Sequence, residues 1–172
     1  MQRLAAYIGE EDARFRYKTM IPCNLYGGYD AFDPRRSHLA AAVIDKLHKA
    51  KASGQTSVAI WGDGTARREF LYAGDLADAV LRAVERFDTL PPVMNVGAGT
   101  DHAVNDYYRV AAEVTGYTGA FSHDLTKPVG MKRKRMDIGL ARDWGWTAPT
   151  SLRDGLAKTY EFYLTHVAAT AA

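Results

Sequence analysis

Apolar residues fall at two spacings along this chain, and each change of spacing marks an element. Leu4, Ala5, Tyr7 and Ile8 recur at helical intervals, which predicts a helix over residues 1–12. The run over 15–21 reads as a strand, and it empties into a loop rich in Gly, Asp and Pro. Order resumes at 37–52, an Ala-rich amphipathic stretch with Leu39, Val43, Ile44 and Leu47 on one face and Ser37 placed to cap it. A short β-branched strand is expected at 57–61, a glycine turn at 62–65 and an extended segment at 67–72. A helix follows over 76–87, with Asp75 at its N-terminus.

The second half repeats the scheme. A buried-type strand is expected at 93–96, a helix at 103–115, a short strand at 120–123 and a basic loop at 126–136. A short helix at 138–144 and a closing helix at 151–166 capped by Ser151 complete it. Strands alternating with helices give the class α/β. In open α/β sheets ligands sit where strands empty into loops, and Asn24, Tyr26, Asp30, Arg35, Arg36 and His38 all lie in one such loop. A domain opening on half a helix predicts that these residues are the later part of a longer chain.

Composition narrows the class without naming a partner. The 172 residues are 47% hydrophobic and 24% charged, ordinary globular material with room for a core. No apolar run approaches the roughly 20 residues of a membrane helix, and the acidic start is no signal peptide. Cys23 is the single cysteine, so no internal disulfide is possible, and a cytoplasmic protein is expected. A net charge of +2 gives no case for nucleic acid. Basic residues do cluster, at Arg35-Arg36, Arg67-Arg68 and 132–135, in the manner of sites for a small anion or of solvated surface.

Individual residues have two readings each. His38 at a helix start flanked by arginines suits a general acid/base, and equally a surface or capping histidine. Arg68 after the glycine turn suits a phosphate, or solvent. Lys46, eight residues after His38, keeps the same helix face and taken alone is a solvated lysine. Gly97-Ala98-Gly99 lacks the full spacing of a dinucleotide loop and reads as a turn. Cys23 reads as a small buried hydrophobe, and Tyr107, Tyr108, Trp144 and Trp146 as core. No grouping of residues suggests a metal.

Together the motifs resemble one family. Ile21-Pro22-Cys23-Asn24-Leu25-Tyr26-Gly27, Ser37-His38, Trp61-Gly62-Asp63-Gly64-Thr65 and Arg68-Glu69-Phe70-Leu71 occur in order. Asp75-Leu76-Ala77, Asn95-Val96-Gly97, Lys127-Pro128 with Gly130, Arg133-Lys134, and Leu140 with Gly145-Trp146 follow. This resembles the carboxyl-terminal half of the GDP-L-fucose synthases, extended short-chain dehydrogenase/reductases of the NAD-dependent epimerase/dehydratase type. The resemblance implies the last Rossmann strands, about 1–27 and 57–96, interleaved with a substrate-binding region, about 28–56 and 97–172. It implies conversion of GDP-4-keto-6-deoxy-D-mannose to GDP-L-fucose by 3,5-epimerisation and NADPH-dependent 4-keto reduction, in a homodimer of the complete enzyme. By the same resemblance His38 is the epimerisation acid. Asn24, Lys46, Trp61, Arg68 and Lys134 hold the GDP-sugar, with Arg68 on the diphosphate. Pro22, Cys23, Asn24, Leu25 and His38 border the nicotinamide.

The departures shape what the chain is expected to do alone. The family's catalytic Ser/Thr, YxxxK pair, epimerisation cysteine and glycine-rich dinucleotide loop all precede these motifs, and none occurs here. The isolated chain is therefore expected to bind no NADP(H) tightly and to be inactive. Gly28, Ala31 and Ala41 replace the family's usual Pro, Asn and Pro. Two rivals remain: another NAD(P)-dependent nucleotide-sugar epimerase/reductase, and a truncated non-catalytic paralogue that pairs with a full-length enzyme.

Overall fold

Three helices packed on two parallel strands form one core of the computed structural model, and two pairs of parallel strands with two further helices form the other. The structure describes residues 2–33 and 36–170; Arg35, one of the basic loop residues singled out above, lies outside them. In chain order the elements are α1 (Gln2–Glu11), β1 (Thr19–Pro22), β2 (Asn24–Tyr26), α2 (Leu39–Ala52), β3 (Ser57–Trp61), β4 (Arg67–Arg68) and β5 (Phe70–Tyr72). There follow α3 (Ala73–Glu85), β6 (Val93–Val96), β7 (His102–Ala103), α4 (Val104–Thr115), β8 (Ala120–Asp124), β9 (Arg133–Lys134), α5 (Gly139–Asp143) and α6 (Leu152–His166). The α/β class is as expected.

Pairing is parallel between β1 and β6, β2 and β5, and β3 and β8, while β4 lies between antiparallel β7 and parallel β9. Leu71, Ala79, Ala83, Met94, Val96, Trp144 and Trp146 fill the core under β1, β5 and β6. Ile44, Leu47, Tyr107, Ala111, Leu156 and Tyr163 join α2, α4 and α6 over Val58 and Ile60 of β3. β3 pairs with β8 and buries its inward residues with α2 and α4. Trp144 and Trp146 pack in the core under β1, β5 and β6.

Local chemistry explains the differences from the expected elements. The strand expected at 15–21 is only Thr19–Pro22; Phe15 and Tyr17 stay exposed and stack on each other, 6.4 Å between ring centroids. Helix α2 starts later than expected. His38, not Ser37, holds the capping backbone position, and the Ser37 hydroxyl is buried without a hydrogen-bond partner. Asp75 is inside the first turn of α3 and does not cap it, because its carboxylate accepts from the backbone N–H and hydroxyl of Thr150 (3.1 and 2.5 Å). Ser151 caps α6 as expected, accepting from the Asp154 N–H at 3.1 Å.

The departure at Gly28 has a packing cause. A Cβ there would lie 2.5 Å from Phe162 Cγ and 2.7 Å from Cδ2, so a larger residue would force the α6 aromatic to shift. Phe162 also packs against Tyr29, with ring centroids 4.7 Å apart and planes tilted by 56°.

Candidate functional site

The start of α2 separates two clefts. On one side, a cleft of about 720 Å³ is lined by residues 25–30, His38, Tyr72, Ala73, Gly74, Lys158 and Phe162. On the other, a cleft of about 610 Å³ is lined by Ser37, Leu39, Lys46, Trp61, Tyr108, Pro128 and Val129 among others. Strand ends β2 and β5 feed the first, which is where an α/β sheet presents ligands. The second is mostly apolar, the usual make-up of a small-molecule pocket with a few polar anchors.

His38 is exposed and makes no side-chain cap bond, so its imidazole is left to the first cleft. Lys46 lies in the second, which the shared helix face did not anticipate. Its ammonium donates to the Ala59 carbonyl and sits 5.9 Å from the Tyr108 ring centre. Partial burial pulls its pKa below the ordinary lysine value. Trp61 is 60% exposed on the wall of the same cleft, with the Lys127 ammonium 5.7 Å above its ring.

A second grouping closes over the strand ends. The Arg68 guanidinium donates to the Arg67, Met131 and Val129 carbonyls at 2.8, 2.6 and 3.0 Å, gathering the basic loop against β4. Lys134 Nζ lies 3.5 Å from Asn24 Oδ1, and Asn24 Nδ2 donates to the Glu69 carbonyl at 3.3 Å. The structure thus brings Asn24, Arg68 and Lys134 to one loop, with Lys46 and Trp61 on the adjoining cleft. Pro22 is exposed at the end of β1, and Leu25 reaches the His38 cleft.

Cys23 is half-buried; burial foremost, and then the Glu69 charge, push its thiol up to about 11. It is a protonated packing group here, as the sequence suggested. Tyr107, Tyr108, Trp144 and Trp146 are core as well.

Three residues had no role in the sequence reading. Glu69 breaks what was expected as one extended segment, 67–72, into β4 and β5. It is 1% exposed, and its carboxylate accepts from the Gly99 and Met136 N–H groups. Asp101 is buried and binds Arg67 and Arg133 together. Lys158 lines the His38 cleft, 5.2 Å over the Tyr72 ring. Only Glu69 carried a signal, a lone carboxylate between apolar Phe70-Leu71 and a paired arginine.

Asp101 gives a pH prediction. Hydrogen bonding to Arg133, outweighing the burial that opposes it, and then to Arg67 lowers its pKa from 3.8 to about 2. A carboxylate with a depressed folded pKa stabilises the fold above its unfolded value and loses that contribution as pH falls through the folded one. Thermal midpoints are expected to fall between pH 4 and about 2 in the wild type. Asp101→Asn starts lower and loses less over that window; equal slopes for the two proteins would rule the ion pair out as the cause.

Cofactor fit is partial. Leu25 and His38 line the same cleft. The Gly97–Gly99 turn offers no phosphate cradle: its Gly99 N–H is spent on Glu69, and a Cβ at Gly97 would meet Glu69 Oε1 at 2.5 Å. It is a packed turn, as read from its spacing. Among the described residues no cluster of His, Cys, Asp or Glu could hold a metal, and no helix is long and apolar enough to cross a membrane.

Residues 1–97 match the NAD dependent epimerase/dehydratase family. The chain is 52% identical over 151 residues to a GDP-L-fucose synthase of Azorhizobium caulinodans, covering 88% of the chain and 48% of that protein. It is 48% identical over 162 residues to a GDP-L-colitose synthase of Yersinia pseudotuberculosis, covering 94% and 53%. The chain spans about half the length of the curated relatives it matches. In fold it is similar to a GDP-L-fucose synthetase from Naegleria fowleri bound to NADP, with a TM-score of 0.83 at 20% identity over 95% of this chain and 53% of that one.

Proposed function

This chain belongs to the NAD dependent epimerase/dehydratase family, and we propose that it is the substrate-binding half of a GDP-L-fucose-synthase-like enzyme. The observation that carries this is the pair of clefts divided by the start of α2, one presenting His38 and the other Lys46 and Trp61. A nucleotide sugar has a matching division between a hexose and a base, joined by a diphosphate. In this reading the base lies against Trp61 and the diphosphate runs past Arg68 toward Asn24 and Lys134. The keto-sugar lies beside His38.

The chemistry asked of these residues is limited. A C–H next to a ketone is acidic enough to be removed by a positioned base, and inversion then needs a proton delivered to the opposite face. His38, exposed to the cleft and free of the helix, is that donor. NADP(H), where bound, supplies the hydride for the 4-keto group, and Pro22, Cys23, Asn24, Leu25 and His38 border its nicotinamide end. The groups that remove the proton and anchor the dinucleotide are not among these 172 residues, so the chain alone is expected to turn nothing over. The similarity to a GDP-L-colitose synthase favours a second GDP-sugar product equally, and the base is common to both.

Calorimetric titration of the 172-residue chain with GDP, UDP and dTDP tests the reading. GDP is expected to bind at least about tenfold more tightly, a difference of one or two hydrogen bonds to the base. Equal affinities would remove the GDP assignment. NADPH oxidation by the chain with GDP-4-keto-6-deoxy-D-mannose would overturn the half-enzyme reading.

A further inference from the structure

Glu69 is the element of the Arg68-Glu69-Phe70-Leu71 motif for which neither family resemblance nor spacing gave a task. Every polar group it has is engaged. Oε1 accepts from Gly99 N–H at 2.8 Å and Oε2 from Met136 N–H at 2.6 Å. Its backbone N–H donates to the Lys134 carbonyl at 3.2 Å, and its own carbonyl accepts from Asn24 Nδ2 at 3.3 Å. Among the described residues no cation lies within ion-pair distance of this buried carboxylate. Burying a carboxylate is costly unless it is fully hydrogen-bonded, and a neutral or apolar residue would fill the space more cheaply for stability alone.

The four bonds join three separate segments: the start of β2 at Asn24, the glycine turn after β6, and the basic loop at 134–136. Two of these segments contribute side chains to the sugar-facing corner. We propose that Glu69 is a positioning residue, whose buried carboxylate ties the basic loop to the strand ends and so holds Lys134 beside Asn24. This rests on the reading of that corner as the sugar-binding end of the site. The close fit is visible from the other side too. A Cβ on Gly97 would lie 2.5 Å from Oε1 and 3.2 Å from Cδ, so Gly97 leaves the space that Glu69 occupies.

Two variants disturb the clasp by different routes. Glu69→Gln keeps the shape but turns an amide N–H toward one of the two backbone donors. Gly97→Ala leaves Glu69 in place chemically and pushes its carboxylate aside. Both are to be titrated with GDP-mannose, alone and on a Lys134→Ala background. The amide exchange of Met136 and Gly99 is followed in each single variant. Each single variant is expected to bind about tenfold more weakly, the effect of losing one hydrogen bond to a charged group. Neither is expected to weaken binding further once Lys134 is gone, since a shared route gives non-additive losses. Met136 is expected to exchange faster in both while Leu47, in the helical core, keeps its protection. Additive losses with Lys134→Ala, or unchanged Met136 exchange, would overturn the proposal. Should the wild-type chain bind no GDP-mannose, the functional reading fails by itself. Met136 exchange then still decides whether Glu69 holds the loop.

Discussion

Trp146→Ala is expected to lower the urea midpoint of the chain by about 2 M. The indole is 2% exposed in the core of β1, β5, β6 and α3, and its Nε1 donates to Asp78 Oδ2 at 2.9 Å. Truncating a buried Trp costs ~3–5 kcal/mol in lost transfer energy and cavity. Spread over a urea dependence of ~1–3 kcal/mol per M, that is a shift on the order of 2 M. Against a total stability of ~5–15 kcal/mol it removes a large fraction. Trp144→Ala is the control. Trp144 is 8% exposed, donates to Thr89 Oγ1 at 3.1 Å and carries Arg86 4.6 Å over its ring, so water and Arg86 can fill part of its space. A smaller shift is expected there. A Trp146→Ala midpoint unchanged within experimental error would mean that this second core does not hold the fold, and equal shifts would mean that Arg86 and water do not offset the loss of Trp144.

These tryptophans also show where the sequence was legible. Their burial follows from size and apolarity, and α4 and α6 follow from repeats of apolar positions at helical spacing, with Ser151 a capping signal that reads locally. The boundaries around α2 and α3 failed for the opposite reason. Ser37 and Asp75 are good capping residues in isolation, but Thr150, seventy-five residues away, takes the Asp75 carboxylate, and the Ser37 hydroxyl points into packing. Pattern cannot see a partner so distant. The same limit hid Glu69 and Asp101, each of which joins loops far apart in the chain. It also hid the parallel partner of β3, since β8 comes some sixty residues later. Of the candidate site, the types of residue were legible and the division of His38 from Lys46 between two clefts was not. A shared helix face says that two residues point alike, but not that the wall between clefts begins at the helix N-terminus.

Arg68→Ala is expected to weaken GDP binding about a hundredfold, the largest functional effect of any single side chain here. Its guanidinium is already engaged with three carbonyls, two of them, Val129 and Met131, in the basic loop, and Val129 lines the cleft that holds Trp61. In the proposed reading, removing it subtracts a positive charge from the diphosphate path and lets the loop leave the cleft wall. Charge-assisted hydrogen bonds contribute about 1.5–3 kcal/mol each, so losing one to ligand and one to the loop reaches roughly a hundredfold. Arg68→Lys separates the two effects, because a lysine keeps the charge but cannot fork between the Val129 and Met131 carbonyls. It is expected to recover part of the affinity and none of the loop protection seen by amide exchange at Met131. Full recovery of GDP affinity in Arg68→Lys would assign Arg68 to charge alone. Wild-type affinity in Arg68→Ala would remove it from the ligand path and leave it as a clip on the loop.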